Sequence, residues 1–84
     1  MNINQEDDIT ISFYKTFQKY LNNHNMFMIY IEEDRNNFYF RINQLINKKT
    51  SNIINFSKIE ILETGFNMFD MIKYFNILIK EAVF

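Results

Sequence analysis

Met26-Phe27-Met28-Ile29-Tyr30-Ile31-Glu32, then Glu33-Asp34-Arg35-Asn36-Asn37, then Phe38-Tyr39-Phe40-Arg41-Ile42-Asn43 is the stretch on which the fold turns. Two runs rich in β-branched and aromatic residues flank a cluster of turn formers, which predicts a β-hairpin. The second run alternates. Phe38, Phe40 and Ile42 fall on one side, and Tyr39, Arg41 and Asn43 on the other. The first run is apolar at six successive positions. We expect Phe27, Ile29 and Ile31 to point inward, leaving Met26, Met28 and Tyr30 on the open face of the sheet.

Before the hairpin, residues Glu6 to Leu21 carry a helical pattern. Ile9, Phe13 and Phe17 recur at i, i+4 and i+8, and Tyr20 and Leu21 extend the stripe. Glu6, Asp7 and Asp8 suit the positive end of the helix dipole, and Lys15 and Lys19 suit the negative end. Against this, Ile9-Thr10-Ile11-Ser12-Phe13 alternates like a strand. Asn22-Asn23-His24-Asn25 should end the helix, because Asn tolerates the left-handed conformation of a C-terminal cap.

After the hairpin, residues 44–52 read as a polar loop. From Ile53 to Leu62 the chain is apolar and β-branched, and Lys58 and Glu60 alternate with Ile59 and Ile61. This predicts a third strand, interrupted near Asn55. Gly65, the only glycine, breaks it. A final helix then runs from Phe66 to Phe84. Leu78, Met71, Ala82, Phe75, Met68, Ile79, Ile72 and Val83 fill one apolar arc of roughly 140° on its wheel. Asn67 is placed as its N-cap, with Asp70 in the first turn. Phe66 and Met71 have the spacing of a hydrophobic staple. The expected fold is a two-layer α+β domain over residues 1–84, with element order α-β-β-β-α. It has an antiparallel three-stranded sheet and two helices packed on one face. Phe27, Ile29, Ile31, Phe38, Phe40, Ile42, Ile59 and Ile61 are the expected sheet side of the core.

Composition bounds the function. A chain of 84 residues buries only about 60–65% of its unfolded surface, so it relies on large core side chains. Ten Phe and fourteen Ile supply them. Asn, Ile, Lys, Phe and Tyr make up 49 residues, and Gly, Ala, Arg and Pro together make up four, which implies AT-rich coding. A low-GC bacterium, its phage or mobile element, a protist or a large virus would fit. With no Cys there is no disulfide framework or thiolate metal site, which suits a cytoplasmic setting. Residues 1–8 are polar and acidic, unlike a signal peptide. The most apolar stretch carries Asp70, Lys73, Lys80 and Glu81, so no membrane span is expected. The polar face of that helix is charge-balanced, unlike the basic face of a membrane-surface anchor.

The element order is similar to that of the double-stranded-RNA-binding domain. That resemblance implies RNA binding through a Lys-rich start to the last helix, entered from a Gly-Pro loop. This chain has Glu63-Thr64-Gly65-Phe66-Asn67-Met68-Phe69-Asp70 there, with two acids, no Lys and no Pro. Lys48, Lys49 and Lys58 offer a smaller basic patch, and Tyr30, Tyr39 and Arg41 could stack bases. An RNA- or DNA-binding role is therefore the alternative expectation.

No catalytic pattern is present. His24 is the lone His, in an Asn-rich turn, and Ser12, Ser51 and Ser57 lack a nucleophile–base arrangement. One Gly cannot build a phosphate loop. No enzyme activity, cofactor or metal is expected. The charge is uneven, with a net −4 over residues 1–34 and +3 over residues 35–84. The expectation is a small protein that binds and occupies a protein target, as phage or mobile-element anti-defence inhibitors of the anti-CRISPR kind do. Glu32, Glu33 and Asp34, with Glu6, Asp7 and Asp8, would face a basic groove on the target. Met28, Tyr30, Tyr39 and Arg41 would form the adaptable contact surface. Free sheet edges would invite an added strand. Ile77 falls in the polar arc of the last helix, with Tyr74 and Phe84 nearby, a candidate patch for a homodimer.

Overall fold

The computed structural model describes residues 5–65 and 67–84, with side chains from Thr10 onward. The expected staple from Phe66, the stripe position of Ile9 and the charges of Glu6, Asp7 and Asp8 therefore lie outside the described side chains. Helix α1 spans Gln5–Asn22 and is followed by strands β1 (Met26–Glu33), β2 (Asn37–Gln44) and β3 (Ile54–Ser57). Helices α2 (Lys58–Glu63) and α3 (Met68–Glu81) complete the chain. The sheet is antiparallel, in the order β1-β2-β3. This is the expected α+β class with one more helix than expected.

α1 forms because its apolar residues repeat at helical spacing. Phe13, Phe17 and Leu21 are fully buried, while Ile11, half of the strand-like alternation, is exposed. The Asn-rich turn ends the helix as expected. Asn25 takes the left-handed conformation at φ 59°, and its N–H donates to Asn22 O at 3.2 Å.

The helices bury one face of the sheet. Phe38, Phe40 and Ile42 of β2 and Ile54 and Phe56 of β3 meet Phe13, Phe17 and Leu21 of α1, Ile61 of α2, and Met71, Phe75 and Leu78 of α3. Much of the core is ring against ring. Phe75 stacks on Phe17 at 4.9 Å, Phe38 on Phe56 at 4.7 Å, and Phe13 bridges Phe56 and Phe75 at 5.0 and 5.1 Å.

β1 faces the opposite way from the expectation. Met28 pairs with Ile42, and Tyr30 with Phe40, so Met26, Met28 and Tyr30 lie on the helix side. Met28 is buried. Phe27 and Ile29 lie opposite Asn43 and Arg41, on the open face, and are only half-buried. A strand apolar on both sides carries no internal sign of which side is inward; its register with β2 decides. The register also shifts between Tyr30 and Glu32, a bulge at Ile31, which is exposed rather than inward.

The third strand is four residues long, not ten. Ser57-Lys58-Ile59-Glu60 has the spacing of a capping box, and the Ser57 hydroxyl accepts from Glu60 N–H at 3.5 Å. The chain therefore turns into α2. Ile61 is buried, while Ile59, expected inward, is 60% exposed. Before β3, buried Ser51 continues the pairing of β2. Its N–H donates to Ile42 O at 2.8 Å, and its hydroxyl accepts from Ile42 N–H at 2.9 Å.

α3 starts as expected, with the Asn67 side chain accepting from Phe69 and Asp70 N–H. It ends earlier, at Glu81, because Ala82 is extended. Val83 then exchanges two bonds with Asn52. Its N–H donates to Asn52 Oδ1 at 2.7 Å, and its carbonyl accepts from Asn52 N–H at 3.3 Å. Met68, Ile72 and Val83, assigned to the buried arc, are exposed. No helix among the described residues is long and apolar enough to cross a membrane.

Candidate functional site

The acidic run Glu32-Glu33-Asp34 is split by the fold. The bulge places Glu33 opposite Phe38, on the helix side, where it forms an ion pair with Lys58. Asp34 organises the hairpin turn. Its Oδ1 accepts from Asn36 N–H at 2.8 Å and Asn37 N–H at 2.7 Å, and its Oδ2 from the Tyr39 hydroxyl at 2.8 Å. The Asn36 N–H, then the Tyr39 hydroxyl, hold the Asp34 carboxyl below the ordinary carboxylate range. The same bond raises the Tyr39 phenol. Glu32 is exposed and in no ion pair among the described residues, whereas the equally exposed Asp34 is taken up by the turn.

The expected contact surface is also divided. Tyr39 and Arg41 do lie on the open face, half-buried. Arg41 Nη1 is engaged with Ser51 O at 3.0 Å. Met28 is in the core, and Tyr30 meets Phe38 edge-on at 5.1 Å on the helix side. Neither sheet edge is open along its length. Gln18 Oε1 accepts the Met28 N–H of β1 at 3.1 Å, and the bulge interrupts the strand beyond it. α3 lies along β3, joined to it through Tyr74 and Ser57 at one end and to Asn52 through Val83 at the other.

Tyr74, Ile77 and Phe84 do not form one patch. Phe84 lies beyond the helix, in a hollow with His24 and Ile46. Tyr74 and Ile77 lie in a different groove, bounded by α3, α2 and the outer edge of β3. Its carboxylates come from two helices, Glu60 and Glu63 from α2 and Asp70 and Glu81 from α3. Residues 35–84 contain only these four acids, and all four line this one groove. Lys73 is its single base, so the local charge is −3. None of the four carboxylates is in an ion pair among the described residues, and Lys73 Nζ sits 4.7 Å from the centroid of the Phe69 ring.

The groove floor is fixed by Tyr74. Its hydroxyl accepts from Ser57 N–H at 3.0 Å and lies near the Glu60 side chain. The phenol thus takes the Ser57 N–H that a reciprocal capping box would give to the Glu60 side chain. Burial, then the neighbouring Glu60 side chain, push its pKa upward. Beside it, Ile77 is 52% exposed. An exposed apolar side chain in a groove with four carboxylates gains little from its surroundings.

The other candidate groups have local duties. The Ser51 hydroxyl donates to Asn52 O at 2.7 Å, Ser57 caps α2, and His24 Nδ1 lies 2.8 Å from Tyr20 O. No group of three or more His, Asp or Glu among the described residues is placed to hold a metal ion. The sequence contained one signal for the groove that linear reading missed. The Ser57–Glu60 capping spacing turns Glu60 and Glu63 onto a helix that lines one groove together with α3. No family model, no curated protein and no solved structure matches the chain.

Proposed function

We propose that this chain is a non-enzymatic binding protein that acts by occupying a basic surface on a target protein, in the manner of phage or mobile-element inhibitors of host defence enzymes. The observation that supports this is the groove. Four carboxylates from two helices line one groove with exposed Ile77, and one lysine lies among them. Like charges held together in excess of their counter-charge cost the folded chain some stability, and a cationic partner recovers that cost on binding. The same charge repels a phosphate backbone, so protein rather than nucleic acid is the partner class.

The test uses the chain with its groove charge reversed at two exposed positions, Glu63→Lys with Glu81→Lys. Wild type immobilised in a lysate of a low-GC bacterium should retain a basic protein that the variant does not, with retention falling as salt rises. In gel shifts at low and moderate salt, the wild type should leave RNA and DNA probes unshifted. A direct shift of those probes by the wild type, or equal retention by the variant, overturns the reading.

A further inference from the structure

We propose that the acidic groove also receives a second copy of this chain, through the turn of residues 45–49. That turn reads Leu45-Ile46-Asn47-Lys48-Lys49 and is the chemical complement of the groove. Ile46 is 75% exposed and Leu45 51% exposed. Lys48 and Lys49 follow directly, with Lys48 in the left-handed conformation at φ 55° that Asn or Gly would adopt more easily. The turn is held from both ends, since Gln44 N–H donates to Lys49 O at 2.8 Å and Leu45 N–H to Asn25 O at 2.9 Å. It therefore presents an apolar tip beside two ammonium groups as a preformed shape, so little ordering is needed on docking.

Charge decides how two copies can meet. A two-fold contact centred on Tyr74 and Ile77 would set one groove of charge −3 against another, and the two would repel. Turn into groove sets two lysines against four carboxylates, and Ile46 against Ile77. The net charge of −1 adds almost no repulsion between whole molecules. Turn and groove share no residue, so the contact is head-to-tail, and each added copy leaves one turn and one groove open. This inference shares the groove with the proposed target site but needs no target, so its failure leaves that reading standing.

Sedimentation velocity of the pure chain tests it, from about 10 µM to about 1 mM, at about 0.05 M and about 0.5 M salt. The wild type should show a weight-average sedimentation coefficient that rises with concentration beyond that of a dimer at low salt and loses this rise at high salt. Lys48→Glu with Lys49→Glu should abolish the rise, as should Ile46→Ser, which changes no charge. The Glu63→Lys, Glu81→Lys chain should also stay monomeric alone. Mixed with the Lys48→Glu, Lys49→Glu chain it should associate, and an added Ile46→Ser in both should weaken that. A wild type that sediments as a monomer throughout, or a Lys48→Glu, Lys49→Glu chain that associates like wild type, overturns the proposal. The circular dichroism melt of each variant confirms that it is folded.

Discussion

Truncating two neighbours on β1 separates the two possible faces of the strand, because side-chain size and position make opposite predictions. Phe27 is the larger side chain, yet it is half-buried on the open face. Met28 is smaller and 6% exposed, opposite Ile42 in the core. Met28→Ala removes a buried side chain and leaves a cavity, for which the usual cost is about 2–5 kcal/mol. β1 is an edge strand whose neighbours can relax into the gap, so about 2–3 kcal/mol is expected. Phe27→Ala leaves space that water fills, so only about half of a Phe transfer energy is lost, about 1 kcal/mol. For a domain this small each kcal/mol moves the melting temperature by about 4–8 °C. Met28→Ala should therefore melt about 10–20 °C below wild type and Phe27→Ala about 4–8 °C below. Urea and thermal melts followed by circular dichroism give both values, and unchanged m-values show that the denatured state is the same. If Phe27→Ala is as damaging as Met28→Ala, β1 faces the other way and the register argument fails.

Two further outcomes follow from side chains around the hairpin and the groove. Tyr74→Phe strips the Ser57 N–H of its acceptor and should cost about 1–3 kcal/mol, with faster amide exchange concentrated between Ser57 and Glu60; a wild-type melt and unchanged exchange there would refute the inserted cap. The depressed Asp34 carboxyl binds a proton more weakly in the folded chain than in the unfolded one, so its stabilisation is full above the ordinary Asp value of about 3.9 and is lost as pH falls through the lower folded value. Stability should therefore fall less steeply with acid in Asp34→Asn, whose amide oxygen can still accept from Asn36 and Asn37, and an NMR titration placing Asp34 at the ordinary value would count against the turn assignment.

Acidic residues 32–34 show how the fold redistributes what is adjacent in the chain. Glu32, Glu33 and Asp34 are consecutive in the chain and read together as one acidic face. The geometry assigns two of them to structure instead, Glu33 to Lys58 and Asp34 to the turn. The residues that do form an acidic surface are separated by up to 21 positions, from Glu60 to Glu81. The α2 helix that carries two of them was hidden by β-branched alternation around Ile59 and Ile61. Its start signal, Ser57 followed by Glu60, was present but weaker to the eye than that alternation.

By itself the sequence determined what depends on neighbours a few positions away. The Phe13, Phe17, Leu21 stripe specifies α1 because helical geometry repeats every 3.6 residues. Asn25 and Asn67 specify helix ends through their own backbone preference and side-chain oxygen. The alternation of β2 specifies its inner face, because one side is polar. Only the tertiary structure decided the inner face of β1, where six apolar residues satisfy either face equally and pairing with Ile42 and Phe40 breaks the tie. Only packing of α2 and α3 beside β3 gathered four distant carboxylates around Ile77. Local propensity is a property of neighbouring residues, but a charge cluster is a property of distances in space, and those exist only once the core has closed.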